Sequence, residues 1–323
     1  METYSSSGAV ESVIQPPAPL SFRKQELQCE QLFNDSGPYW HLCTPGMLTE
    51  LLFRTEEDYR FIMNQQAIQA ERHDVRFLAF EVMSNHLHDV LEGVQQACLE
   101  FFAQLKRKLR RYFSGQGRYV NLDGFEPTLI PIDNLQMLRT EICYSHRNGF
   151  LVHPAFTPFS YPWGSGTLYF SPIPRDDLFP RYADLPDVEK RLVCGGRSVD
   201  LPVRFRTDRG LILPQTYVDY RKGMAMFRDA QHYFSMLSKN NEAYSETAKR
   251  LGDSIFLTDD EMFAALRNLC IKQFDEKKPT LLPNASKIEL ARQMRRDYNA
   301  SEGQIQRMLR LDINLVRELF GKS

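Results

Sequence analysis

Two histidines separated by one apolar residue stand at the start of a predicted strand. In the segment FEVMSNHLHDVLEG, His86 and His88 flank Leu87. Because side chains alternate along a strand, the two imidazoles are expected on one face, about 6–7 Å apart, with Leu87 on the other. Two neutral imidazoles at that spacing can hold one divalent cation. Two hydrogen-bonded surface histidines would have the same pattern, so metal binding needs support from a second element.

A tyrosine and an asparagine one helical turn apart provide that second element. In LRTEICYSHRNGFLVHP, Tyr144 and Asn148 lie four residues apart, on one face of a predicted helix. An asparagine carbonyl can be a third metal ligand beside two histidines, and Tyr144 would then point at whatever the metal holds. His146 is offset by about 200° and is expected to point elsewhere. The alternative is a half-buried aromatic residue, with Asn148 serving as a helix C-terminal residue before Gly149.

Short elements with short connections position these residues. The pattern of apolar, capping and turn residues predicts strands at 39–45, 75–83 and 86–93, helices from Thr55 to about 74, from 95 to 113 and from 134 to 149, and extended structure at 118–132. Thr55 is expected to cap the first helix. The order strand–helix–strand–strand–helix favours an α+β sandwich built on an antiparallel sheet.

Together these motifs resemble the core of HUH tyrosine transposases, in particular the REP-associated branch. That family carries M-P-N-H-x-H on a strand and Y-[IV]-x-x-N-P on a later helix. The corresponding residues here are Met83-Ser84-Asn85-His86-Leu87-His88 and, 56 residues after His88, Tyr144-Ser145-His146-Arg147-Asn148. A Tyr-Pro-Trp segment at 161–163 matches a further family feature. Ser84 and Gly149 replace family prolines, and Asp89 stands where an apolar residue is common.

The resemblance implies both a fold and a reaction. The fold would be a ferredoxin-like antiparallel sheet with helices, the HUH nuclease core. Tyr144 would attack a phosphodiester of single-stranded or hairpin DNA, leaving a 5′-phosphotyrosine link and a free 3′-hydroxyl. His86, His88 and Asn148 would bind the cofactor, Mg²⁺ or Mn²⁺: imidazole ligands favour Mn²⁺ and availability favours Mg²⁺.

A basic helix predicts a DNA-binding surface. The segment QLKRKLRRYF surrounds an apolar stripe with five cations, namely Lys106, Arg107, Lys108, Arg110 and Arg111. No acidic residue lies between Glu100 and Asp123. A solvated helix face has the same composition, but the long acid-free run favours phosphate binding. Tyr112 and Tyr119 could stack on unpaired bases, although Tyr112 could instead belong to the core.

The last forty residues resemble a helix-turn-helix. Ser301 and Gln304 form a predicted capping box, and Asp312 can cap the last of three short helices. Arg310 occupies the turn position that often holds glycine. Any small three-helix unit has a similar pattern, but the neighbouring motifs favour DNA binding. We therefore predict four segments: a flexible tail at 1–37, a catalytic domain at 38–170, a mostly helical region without an assigned role at 171–283, and a helix-turn-helix-like segment at 284–323. Within the third segment, residues 171–215 are predicted to be loop-rich, because they contain several prolines and a Gly-Gly pair.

The composition excludes several classes of protein. The 323-residue chain is 42% hydrophobic and has a net charge of −1, so it can bury a core but is not basic throughout. Its six cysteines form no C-x-x-C pair, which argues against zinc knuckles and favours a reducing compartment. A signal peptide and a membrane-spanning run are both absent, so a cytoplasmic location is expected.

Two alternative functions remain open from the sequence. One is a non-catalytic DNA-binding regulator derived from a transposase. The other is a plasmid-type replication initiator or relaxase, although neither a helicase module nor paired tyrosines are evident. The sequence leaves the oligomeric state open, a homodimer included.

Overall fold

The computed structural model describes residues 21–46, 51–152, 157, 159–239, 259–276, 278–298 and 300–320. The strands are β1 (Tyr39–Cys43), β2 (Arg76–Val82), β3 (Leu87–Glu92), β4 (Thr128–Ile132), β5 (Thr207–Asp208) and β6 (Leu211–Ile212). The helices are α1 (Phe22–Asn34), α2 (Glu56–Arg72), α3 (Gln95–Gly115), α4 (Leu135–Val152), α5 (Asp187–Cys194), α6 (Tyr220–Ala225), α7 (Ala230–Lys239), α8 (Asp259–Phe274), α9 (Asn284–Tyr298), α10 (Glu302–Leu309) and α11 (Ile313–Phe320).

A four-stranded antiparallel sheet forms the centre of the molecule. Its strand order is β2-β3-β1-β4, and every neighbouring pair is antiparallel. Along the chain the elements run β1-α2-β2-β3-α3-β4, which is the ferredoxin-like, or split βαβ, connection. The predicted α+β class with an antiparallel sheet is therefore confirmed.

The register of the sheet sorts polar side chains onto two faces. His88 lies opposite Cys43 on one neighbouring strand and opposite Glu81 on the other. Since directly paired residues point to the same side, these three side chains share a face, and alternation along β1 adds His41 to it. Asp89 points to the opposite face. The helix α4 packs on the His88 face, whereas α2 packs on the Asp89 face through Gln66.

Local signals explain where the helices begin and which face they bury. Thr55 caps α2 in a reciprocal capping box with Asp58, which confirms the predicted start of that helix. In α3 the predicted apolar stripe is buried, from Phe102 to Phe113. The predicted end of α4 at Gly149 is wrong, because the helix continues to Val152. Glycine is only mildly unfavourable inside a helix, so the free energy gained by burying the preceding turns can outweigh its cost and the helix continues past it.

The predicted tail at 1–37 is wrong over residues 22–34, which form α1. Cys29 is buried on this helix. Arg139 of α4 donates to both carboxylate oxygens of Glu26, at 2.7 and 3.1 Å, and to the carbonyl of Met226 at 2.6 Å. These bonds fasten α1 to the back of α4. Residues 1–20 lie outside the described part of the chain.

The segment that follows the sheet is loop-rich over residues 171–215, as predicted, so the broader description of 171–283 as mostly helical does not apply to it. It contains short 3₁₀ turns, α5 and the β5–β6 hairpin. The Asn64 amide bonds the carbonyls of Val193 and Gly210, and Gln65 bonds that of Cys194. The segment therefore covers the outer side of α2, which explains why residues 61–70 of that helix are buried on every side.

Three short helices end the described chain, as predicted. Ser301 and Gln304 form the predicted capping box, and Asp312 Oδ1 accepts hydrogen bonds from the backbone of Asn314 and Leu315. Arg310, at the turn, has a positive φ of 51°, a conformation that glycine adopts more easily. No helix in the described ranges is long and apolar enough to cross a bilayer.

Candidate active site

The two histidines of the His-x-His motif lie side by side in a buried position. Their ring centroids are 5.0 Å apart, with the rings nearly perpendicular. The Nδ1 atom of His86 is 2.8 Å from Asn85 Oδ1, and the Asn85 amide donates to the Gly46 carbonyl at 2.6 Å. A Cβ on Gly46 would lie 2.7 Å from His86 Nδ1, so a larger residue at this position would displace the His86 ring. The loop before β3, which contains Asn85, thus fixes the orientation of His86.

Tyr144 lies against His88, the second histidine of the motif. Its ring centroid is 5.3 Å from that of His88 and 6.2 Å from that of His41. The side chain is buried, with 4% of its surface exposed. The structure therefore brings together a tyrosine and a histidine that are 56 residues apart in the sequence.

Asn148 follows Tyr144 by one turn on the same helix. It is 5% exposed, and its Nδ2 atom forms no hydrogen bond within the described residues. A buried amide with an unsatisfied polar atom is costly unless something else binds it. An asparagine amide can be turned to present its oxygen instead of its nitrogen. This side chain is thus compatible with a ligand role toward a cation.

The fit of a divalent ion can be assessed from these donors. Within the described residues, no group of three or more His, Cys, Asp or Glu side chains is arranged to hold a metal. The predicted ligands are instead two imidazoles and one amide, and the two imidazoles, His86 and His88, are adjacent. Imidazole nitrogens and an amide oxygen are donors that suit Mn²⁺.

Two buried residues missed by sequence reasoning complete the site. His41 Nδ1 is 2.6 Å from Glu141 Oε2, and His41 Nε2 is 3.3 Å from His88 Nδ1. All three side chains are fully buried. Alternation along YWHLC places His41 on a defined face, and Glu141 precedes Tyr144 by three residues on a helix. These two positions are the sequence signals from which His41 and Glu141 could have been identified.

The segment with the Tyr-Pro-Trp sequence covers the outer edge of the sheet. Val82 N donates to the Trp163 carbonyl at 2.8 Å, and Ser165 N donates to the Phe80 carbonyl at 2.9 Å. The Tyr161 hydroxyl donates to the Val82 carbonyl at 2.8 Å. These bonds pair the free edge of β2 beside the site and give that motif a structural role.

His146 points away from the site, as expected from its offset along α4. Its Nε2 is 2.8 Å from Ser165 Oγ, and its Nδ1 is 3.0 Å from the Tyr233 hydroxyl. Complete burial lowers the pKa of His146 to about 3, because a charged imidazolium would lose its hydration there. The residue is therefore neutral near pH 7 and fixes the rotation of α4.

Asp89 stands where the transposases that the motifs resemble commonly have an apolar residue. It is fully buried on the opposite face of the sheet, where Gln66 donates to its Oδ1 at 2.8 Å. Burial raises the pKa of this carboxyl well above its usual range, and the Gln66 bond only partly opposes that shift. A neutral carboxyl can occupy a position where an apolar residue is more common.

The basic helix presents a mixed surface. Arg107, Arg110 and Arg111 are exposed, and Lys106 pairs with Glu126, an acid that follows the acid-free run. Burial, and then the neighbouring Arg72, lower the pKa of Lys108. Four of the five predicted cations thus face solvent or one another without an acidic partner in the described salt bridges.

The two tyrosines predicted for base stacking differ in their surroundings. Tyr112 stacks on Phe61 at 3.9 Å and donates to Asp58 Oδ1 at 2.9 Å, so its ring is used by the fold. Tyr119 is 95% exposed, so its ring is not used by the fold.

Comparisons with family models, with curated proteins and with solved structures found no match to this chain. The assignment of the site therefore depends on its own geometry and on the motifs.

Proposed function

We propose that the protein is a metal-dependent single-strand DNA endonuclease and strand transferase of the HUH type, similar to REP-associated tyrosine transposases. One observation carries this proposal: the ring of His88 lies 5.3 Å from that of Tyr144 and 5.0 Å from that of His86, although the tyrosine and the histidines come from a helix and a strand far apart in the sequence. Folding alone does not require a tyrosine packed on a pair of histidines, one helical turn before a buried asparagine with an unsatisfied amide nitrogen.

The proposed reaction uses the Tyr144 hydroxyl as nucleophile. Its oxygen would form a bond to phosphorus in line with the departing 3′-oxygen, which leaves with a proton as a free 3′-hydroxyl. The phenolic proton must be lost to a base or to water, because tyrosine is almost fully protonated near pH 7. A Mg²⁺ or Mn²⁺ ion held by His86, His88 and Asn148 would withdraw charge from the phosphate oxygens and make phosphorus more electrophilic.

DNA binding would come from two surfaces outside the site. The exposed cations of α3 offer phosphate contacts, and Tyr119 offers a ring for an unpaired base. In this proposal α9, α10 and α11 form a helix-turn-helix that adds affinity for duplex, so a hairpin with both a stem and an unpaired tip is the favoured substrate.

Burial of the site favours a second candidate, a non-catalytic DNA-binding regulator. Tyr144 is 4% exposed and His88 is fully buried, so a DNA strand reaches them only if neighbouring residues move. A regulator would keep the packing of these side chains and bind DNA through α3 and the terminal helices without cutting it.

Cleavage of a labelled hairpin oligonucleotide with Mn²⁺ separates the two candidates. The wild-type protein should give a protein–DNA band that resists SDS, whereas Tyr144→Phe should bind the hairpin equally and give none. His86→Ala should lose the cleavage that depends on added metal. Tyr220→Phe is the matched control, because it removes a phenol on α6, outside both the site and the proposed DNA-binding surfaces. A covalent band from Tyr144→Phe, or none from the wild-type protein, would reject the nuclease.

A further inference from the structure

A continuous chain of buried hydrogen bonds leads away from His88 into the protein. Glu141 on α4 contacts His41 on β1 at 2.6 Å, and His41 contacts His88 on β3 at 3.3 Å. The chain joins one carboxylate and two imidazoles from three different elements. All three side chains have no exposed surface.

The direction of these bonds follows from the chemistry of the carboxylate. An ionised carboxylate only accepts hydrogen bonds, so His41 Nδ1 must carry the hydrogen that it donates to Glu141. In a neutral His41 the other nitrogen, Nε2, then has a lone pair and accepts. His88 must therefore donate from Nδ1, which leaves the lone pair of His88 on Nε2.

We propose that Glu141 and His41 are positioning residues that hold His88 in the tautomer able to bind a cation through Nε2. This inference rests on the proposed function, in which His88 is a metal ligand. Histidine ligands generally donate their second ring nitrogen to a carboxylate or carbonyl, which fixes their tautomer. Here a second imidazole extends that contact, so that a carboxylate on the tyrosine helix orients a histidine on the sheet.

The arrangement also links the two halves of the site. Glu141 and Tyr144 lie three residues apart on α4, and the Tyr144 ring contacts both His41 and His88. A rotation of α4 that displaced Tyr144 would also break the contact to His41. The hydrogen-bond chain therefore sets the position of the nucleophile and of the ligand together.

The tautomers can be measured without DNA or catalysis. In protein labelled with ¹⁵N-histidine and saturated with Mg²⁺, long-range ¹H–¹⁵N correlations distinguish protonated from unprotonated ring nitrogens. We expect His41 and His88 each to carry hydrogen on Nδ1 and not on Nε2. Hydrogen on Nε2 of His88 would overturn the proposal.

Two substitutions at Glu141 test the role of its oxygen. Glu141→Met keeps the length of the side chain but removes the acceptor, and we expect Mn²⁺ binding, measured by loss of the free-ion electron paramagnetic resonance signal, to weaken about 10–100-fold. Glu141→Gln keeps an oxygen acceptor and should restore most of the affinity. Equal Mn²⁺ affinities for these two variants, with both folded by their amide spectra, would contradict the proposal.

A control variant separates positioning from general damage to the buried sheet. Asp89→Asn alters an equally buried acid next to His88 but on the opposite face, so it should leave Mn²⁺ affinity unchanged. Failure of the two proposals is distinguishable. The predicted tautomers without a covalent DNA adduct would remove the nuclease and leave the hydrogen-bond chain; an adduct with the opposite His88 tautomer would do the reverse.

Discussion

The burial of His146 makes the stability of the protein sensitive to acid in a predictable direction. In the unfolded chain this imidazole has its ordinary pKa of 6.5, whereas burial lowers its pKa in the folded protein to about 3. Between those values the unfolded state binds more protons than the folded state. Stability contributed by this residue is therefore present above pH 6.5 and is lost as the pH falls through that value toward 3.

The expected loss can be calculated from the two pKa values. Lowering the pH from 7 to 5 should cost the wild-type protein about 2 kcal/mol relative to a variant with no titratable group at this position. Solvent does not reduce this difference by screening the charge, because the His146 ring is fully buried.

Urea unfolding of the wild-type protein and of His146→Gln at both pH values gives the required comparison. The difference in unfolding free energy between the two proteins should change by about 2 kcal/mol from pH 7 to pH 5, in favour of the variant at low pH. Contributions from other titrating groups cancel in this double difference. If the two proteins lose stability in parallel, His146 is not buried between Ser165 and Tyr233, and the rotation assigned to α4 is wrong.

Three further perturbations test other parts of the account. Because burial raises the pKa of Asp89, the wild-type protein should lose stability as the pH rises above about 4, by about 1.4 kcal/mol for each unit of that rise in pKa. Asp89→Asn should remove this loss and be the more stable protein at pH 8. Thermal unfolding of both proteins at pH 5 and pH 8 measures the difference, and equal pH dependence would contradict it. Replacing Arg110 and Arg111 with Gln should lower the salt dependence of single-strand binding by roughly 0.7 per cation in a log–log plot, and unchanged slopes would remove α3 from the interface. Gly46→Ala should displace His86 and weaken Mn²⁺ binding about tenfold. An unchanged Mn²⁺ affinity, measured by electron paramagnetic resonance titration, would contradict this expectation.

Much of the sheet domain could be predicted because its signals are local. Alternation places His86 and His88, and a capping residue with an acidic first turn marks the start of α2 at Thr55. The three terminal helices follow from capping residues in the same way. Each of these signals acts over a few residues and does not depend on the rest of the chain.

The remainder of the site could not be predicted because it depends on contacts between distant segments. His41 and Glu141 are 100 residues apart, and neither has an unusual local pattern. The helix α1 is fastened through Glu26 and Arg139, a contact across 113 residues. The extension of α4 beyond Gly149 has the same kind of cause, since tertiary burial outweighs a weak local stop signal.

The region from 171 to 219 shows a further limit of local patterns. Its backbone bonds to side chains of α2, such as Asn64, in place of forming long helices or strands. Irregular segments held by side-chain contacts have no period, so their course depends on the surface that they cover.

Peptide mapping of the covalent complex shows whether Tyr144 is the nucleophile. Trypsin cleaves after Arg139 and Arg147, which releases residues 140–147, a peptide with Tyr144 as its only tyrosine. After incubation of the wild-type protein with a hairpin oligonucleotide and Mn²⁺, followed by trypsin and nuclease digestion, mass spectrometry should find this peptide carrying a nucleotide through a phosphotyrosyl bond. A nucleotide on a different peptide, or this peptide unmodified in the presence of cut DNA, would contradict the account.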